Sequence, residues 1–202
     1  MAKFFCVFLI TIIFFLPAGC ARTNTDMEKY VVKITVYHDD VCAQGTGFLC
    51  EGYTITSAHI FKGNDEAPSI CSADNMIVGK YEPELLFIDE DNDVAILTSP
   101  TCDGAKVSDD FACGRCVVFT CEDMIECRKI NIVDIDVSGK PDTLITLDAY
   151  LPKGSSGAPI VNCKGNVIGI IVARDMDGRY SYAVPSKYIK RSLSQANRLY
   201  PD

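Results

Sequence analysis

The chain has 202 residues, a formal net charge of −8 and 11 cysteines. That length holds one domain with a sizeable core and little more. The acidic balance, with no block of Lys and Arg, excludes a nucleic-acid partner, because phosphate binding needs a basic face.

The first segment, MAKFFCVFLITIIFFLPAGCA, carries Lys3, an apolar run Phe4–Leu16 and then small residues. This is the three-part layout of a secretory signal peptide over residues 1–21, and the run is too short for a membrane span of roughly 20 residues. Two processing routes stay open: cleavage after Ala21, or lipidation of Cys20 at LPAGC, the one expected link to a membrane. Either route exports the chain to a secreted, periplasmic or surface-exposed location. Residues 28–202 are then a single folded domain, with no further linker or repeat.

Beyond Cys6 and Cys20 lie Cys42, Cys50, Cys71, Cys102, Cys113, Cys116, Cys121, Cys127 and Cys163. In an exported chain these are read as disulfide partners, with one left over by the odd count, or with Cys20 retained to make ten. The run CGRCVVFTCEDMIEC offers a zinc alternative, but Cys121 and Cys127 stand too far apart for a common ribbon. No metal and no cofactor is expected.

Short strands fill the rest. VVKITVYH alternates with period two, placing Val32, Ile34, Val36 and His38 on one face. GTGFLC and YTITSA follow, joined at Glu51-Gly52 as a hairpin. NMIVGKY, ELLFI, VAILTS, CVVFTC, RKINIVDIDV, TLITLDA, APIVNC, NVIGIIVA and RYSYAV continue the series, separated by Gly, Pro, Asn and Asp. Such regular spacing predicts an all-β sandwich or pair of barrels. PSKYIKRSLSQAN predicts one closing helix, with Ser186 as a candidate cap and Tyr188, Ile189 and Leu193 facing inward.

Three features bear on chemistry. The chain has two histidines, His38 and His59. His38 ends an alternating strand and reads as a rim or core residue. His59 follows a strand in TSAHIF. In DEDNDVAIL, Asp93 stands at the mouth of an apolar strand, where it can be partly desolvated and accept an imidazole N–H. In LPKGSSGAPIVN, Ser156 sits between Gly154 and Gly157. A serine hydroxyl is a weak nucleophile and needs an imidazole to take its proton. The oxyanion that forms needs fixed N–H donors, here the backbones of Gly154 and Ser156.

Taken in order, these segments resemble the chymotrypsin-fold serine proteases, most closely the HtrA/Deg branch. GTGFLCEGYTITSAHI resembles the stretch that ends in the family's catalytic His and maps it onto His59. DEDNDVAIL maps the acid onto Asp93, and LDAYLPKGSSGAPIVNCKGNVIGI maps the nucleophile onto Ser156 without a gap. YSYAVPSKYIK resembles the family's strand-to-helix ending. The resemblance implies two six-stranded antiparallel β-barrels with a short C-terminal helix, and a serine endopeptidase acting on proteins or peptides through an acyl-enzyme. Ser155 and Ala158 depart from the family's Asn and Gly. The branch's PDZ domain has no counterpart after Ser192, so PDZ regulation and trimer assembly are not carried over, and the oligomeric state stays open.

Trypsin-type zymogen activation needs an Asp directly before the nucleophile, and Ser155 stands there. The acid that selects Lys or Arg substrates maps onto Tyr150. Ile171, Val172 and Ala173 are expected to line the substrate pocket, which gives an aliphatic preference before the scissile bond. The alternative is a catalytically silent binding module on the same fold.

Overall fold

The computed structural model describes residues 26–38, 41–62, 70–111, 114–137 and 140–200. The signal segment, Cys20, Cys113 and the side chain of His38 lie outside the described set. Strands dominate, as the alternation predicts, and they form two sheets.

The first sheet holds β1 (Val31–His38), β2 (Val41–Cys50), β3 (Tyr53–Thr56), β4 (Ile70–Asn75), β5 (Gly79–Tyr81), β6 (Leu85–Asp89) and β7 (Val94–Thr98). Its order is β5-β4-β1-β2-β3-β7-β6, seven strands. The second holds β8 (Arg115–Phe119), β9 (Met124–Val137), β10 (Lys140–Leu147), β11 (Pro159–Asn162), β12 (Val167–Arg174) and β13 (Ser181–Pro185). It closes into a barrel in the order β10-β13-β12-β11-β8-β9. Helix α1 (Ser186–Leu199) ends the described chain.

The two expected six-stranded barrels take the form of one closed six-stranded barrel and one seven-stranded half-barrel. The open edge has a local cause. β5 is only three residues long and pairs with β4 alone. The segment leading to β6 contains Pro83, which has no N–H to give to a ladder.

NMIVGKY is not one strand. Asn75 ends β4, and its side-chain oxygen accepts the N–H groups of Ile77 and Val78 at 2.9 and 3.2 Å. This turn, closed by Gly79 at φ 72°, starts β5 in a new direction. The Glu51-Gly52 hairpin is as expected: both residues have positive φ, 50° and 86°, the geometry of a tight two-residue turn.

Continuous apolar runs arise where a strand buries both faces. Along β7, Val94 and Ile96 face a core shared by both sheets and α1, while Ala95 and Leu97 face the interior of the first sheet. Along β12, Val167 and Ile170 join the shared core, and Ile168 and Ile171 fill the barrel. Each fully buried Ile, Leu or Phe contributes about 1.5–3 kcal/mol. The shared core fixes the two sheets against each other, and the site lies between them.

Helix α1 buries Ile189, Ser192, Leu193 and Ala196, while Tyr188 is half-buried. Ser186 does not cap the helix. Pro185 holds the N-cap position, and the Ser186 hydroxyl donates to Asp109 Oδ1 at 2.7 Å. Lys190 Nζ reaches the other oxygen of Asp109 at 2.7 Å. These two hydrogen bonds, Lys190 first, hold the Asp109 carboxyl below its ordinary range.

Candidate active site

Strand β3 delivers the chain into a short 3-10 helix, Ala58–Phe61, that carries His59. Ala58, Ile60 and Phe61 are buried under it, so the helix is anchored and the imidazole stays partly open to the cleft. Asp93 lies in the turn before β7 with φ 53°, a left-handed conformation that costs a non-glycine residue about 1–2 kcal/mol. Its own carbonyl accepts the Ala58 N–H at 3.2 Å. Its carboxylate accepts the backbone N–H of His59 on Oδ1 and meets His59 Nδ1 on Oδ2, both at 2.7 Å. The strained backbone thus turns both carboxylate oxygens toward one residue.

The second sheet supplies Ser156, in the loop between β10 and β11. Its Oγ is 2.8 Å from His59 Nε2. With the Asp93 carboxylate accepting from Nδ1–H, Nε2 carries the lone pair and accepts the serine hydroxyl. The three residues singled out in the sequence are therefore brought into one hydrogen-bonded chain across the two sheets.

The loop around Ser156 is fixed by contacts that sequence reasoning missed. Thr46 N–H donates to the Ser156 carbonyl at 2.8 Å, and Thr46 Oγ1 donates to the Gly154 carbonyl at 2.8 Å. The Thr46 carbonyl in turn accepts from Thr56 Oγ1 at 2.7 Å. Gly157 N–H donates to the Ile171 carbonyl at 2.7 Å, which also accepts from Ser57 Oγ at 2.8 Å. Gly157 has φ 83°, and a Cβ there would lie 2.1 Å from the Thr46 carbonyl oxygen. A Cβ on Gly45 would lie 3.0 Å from the Ser156 carbonyl oxygen. The GTG stretch is thus the bed on which the serine loop rests. Its only sequence signal is two small residues around a hydroxyl in an otherwise apolar strand.

Gly154 has φ 87° and leaves its N–H, like that of Ser156, without an acceptor among the described residues. Ser155 is buried, and its Oγ has no hydrogen-bond partner among the described residues. Of the expected pocket residues, Ile171 is buried in the barrel, Val172 is half-buried and Ala173 is exposed.

The cysteines divide by environment. Cys116 and Cys127 face each other across the β8–β9 ladder, with their Sγ atoms 3.4 Å apart. Cys121 is separate from them and lies against Thr46 Oγ1 at 3.1 Å. No group of three or more metal-ligating side chains occurs among the described residues. Burial pushes the Cys50 thiol up to about 12 and the Cys71 thiol up to about 11.

A half-barrel and a closed barrel, with a serine, a histidine and an aspartate joined between them, define the chymotrypsin-like class of fold. A family model for the trypsin-like peptidase domain matches residues 45–170, and the chain belongs to that family. Serine protease HTRA3 of Homo sapiens is 28% identical over 177 residues, covering 76% of this chain and 38% of that protein. Serine protease HTRA1 of Xenopus tropicalis is 25% identical over 172 residues, covering 77% of this chain and 36% of that protein. The chain thus spans little more than a third of the length of these curated relatives. Among solved structures, the Rv3671c protease from M. tuberculosis in its active form superposes with TM-score 0.73 at 19% identity, covering 87% of this chain and 84% of that one. The HtrA-type protease AlgW with tripeptide superposes with TM-score 0.75 at 16% identity, covering 88% of this chain and 63% of that one. These two likenesses show the fold. The family model is of a peptidase domain, and these curated relatives are serine proteases.

Proposed function

We propose that the protein is an exported serine endopeptidase whose catalytic residues are His59, Asp93 and Ser156. One observation carries this reading: Ser156 Oγ, His59 Nε2, His59 Nδ1 and Asp93 Oδ2 form a continuous hydrogen-bonded line with spacings of 2.8 and 2.7 Å. Ser156 Oγ attacks the peptide carbonyl while its proton passes to His59 Nε2. Asp93 stabilises the imidazolium that results. The N–H groups of Gly154 and Ser156 receive the oxyanion. As the tetrahedral species collapses, His59 gives its proton to the leaving amine, and Ser156 remains acylated. A water activated by the same imidazole then releases the acid product. Ile171, Val172 and Ala173 present the strand against which a substrate backbone lies.

Export rests on the leader read at residues 1–21. In an oxidising compartment, Cys116 and Cys127 form a disulfide, since they are paired in register and already in contact. The test is digestion of reduced, carboxymethylated casein by the protein from residue 22 onward, beside Ser156→Ala and His59→Ala. Hydrolysis that disappears in both variants supports the reading. Tight casein binding without cleavage, equal in all three proteins, would instead identify a binding module on a protease fold.

A further inference from the structure

We infer that Arg174 makes this protease select an acidic side chain, Glu or Asp, immediately before the scissile bond. This rests on the proposed nucleophile and names the substrate class for that same site.

The argument begins with the backbone. In the β12–β13 ladder, Ile171 pairs with Ala183 and Ala173 with Tyr182, so Val172 is an inserted residue. Simple alternation from Ile171 would place Ala173 on the inward face and Arg174 outward. The bulge reverses the phase. Arg174 now pairs with Ser181, two residues from Ala183 and on the same face. Ser181 is buried and donates to the Ala149 carbonyl at 2.8 Å. Arg174 therefore points at the segment that leads into the serine loop.

Its guanidinium arrives there. Nη1 donates to the Leu151 carbonyl at 3.0 Å and to the Tyr150 hydroxyl at 2.8 Å. The guanidinium carbon lies 5.1 Å from the centre of the Tyr150 ring. A Cβ on Gly178 would come within 3.0 Å of that ring, so Tyr150 is backed by the Asp175–Gly178 turn. Tyr150 stands six residues before Ser156, where an acid would select basic substrates. Here that position holds a phenol with a cation beside it, the opposite charge to the acid that the resemblance would place there.

The cation is unspent. Among the described residues Arg174 has no carboxylate partner. The neighbouring Asp175 uses Oδ1 for the backbone N–H groups of Arg179 and Tyr180, at 2.8 and 3.1 Å. Only Nη1 is engaged, which leaves the N–H groups on Nη2 and Nε for a carboxylate. This replaces the aliphatic preference expected from Ile171, Val172 and Ala173: the bulge, invisible in the sequence, brings a charge to a wall that the apolar run suggested was neutral.

The experiment profiles the exported protein on digested casein by mass-spectrometric mapping of new termini. It then measures kcat/KM on matched fluorogenic peptides carrying Glu, Asp, Gln, Val or Lys before the bond. Fluorophosphonate labelling of each preparation reports separately whether Ser156 is reactive, so a failure of the proposed mechanism is distinguishable from a failure of this inference. Glu is expected to exceed Gln by roughly 10- to 100-fold, the range for a hydrogen bond to a charged group. The ratio should fall to near one in Arg174→Gln, persist in Tyr150→Phe, and shift toward Lys in Arg174→Glu. A labelled wild-type protein with equal rates on Glu and Gln, or an acidic preference that survives in labelled Arg174→Gln, would overturn the assignment.

Discussion

Thr46→Val removes the hydroxyl that holds the serine loop. The valine keeps the shape of a fully buried side chain and the backbone N–H that binds the Ser156 carbonyl. It deletes the hydroxyl that donates to the Gly154 carbonyl at 2.8 Å and that also meets Cys121 Sγ at 3.1 Å. A hydrogen bond of this kind contributes about 1 kcal/mol net, and about 3 kcal/mol if its partner is left unsatisfied. That range is roughly 5- to 150-fold in the population of the held loop. If the loss falls on the whole fold, melting should drop by about 2–4 °C per kcal/mol for a domain of this size. Two assays divide the cost: the second-order rate of fluorophosphonate labelling reads the loop, and a thermal melt reads the fold. The expected result is slower labelling with a small loss of melting temperature. Labelling within twofold of wild type, with melting unchanged, would refute the claim that Thr46 positions Gly154.

Asp93→Asn should leave the protein folded and slow labelling by about 10³- to 10⁴-fold, because the amide no longer fixes the tautomer of His59. Labelling kinetics check this beside a melt. Gly157→Ala should yield no folded, labelled protein, since its Cβ would overlap the Thr46 carbonyl at 2.1 Å. Gly52→Ala, with nothing within 4 Å and φ 86°, should lose only about 1 kcal/mol and label normally. Cys50 and Cys71 should resist iodoacetamide at neutral pH in native protein and react after denaturation, while exposed Cys42 reacts in reduced protein. Because burial raises both thiols, the folded state keeps protons that the unfolded chain loses above about pH 8.5. Their contribution to stability is therefore complete below that pH and declines up to about 12 for Cys50 and about 11 for Cys71, as alkaline melts should record.

The strand pattern and the order His59, Asp93, Ser156 were legible because both rest on local signals. Alternation marks β1, continuous apolar runs mark strands buried on two sides, and Glu51-Gly52 marks a hairpin. What the sequence did not carry depends on register or on side-chain turns. The Asn75 side chain breaks an apparent strand at Met76, though the apolar letters continue through Val78. The three-residue β5 leaves the first sheet open, and no composition reveals how short it is. A bulge at Val172 reverses which of Ala173 and Arg174 faces the serine segment, and one inserted residue has no signature in an apolar run. Thr46 escaped notice for a related reason: its role depends on a loop more than 100 residues away, at Gly154.

The most direct test of the account is mass-spectrometric mapping of the fluorophosphonate adduct on folded protein. The geometry predicts a single stoichiometric adduct on Ser156, absent in Ser156→Ala and strongly slowed in His59→Ala. Folded wild-type protein that takes no adduct, or takes it on another residue, would contradict the assignment of Ser156 as an activated nucleophile.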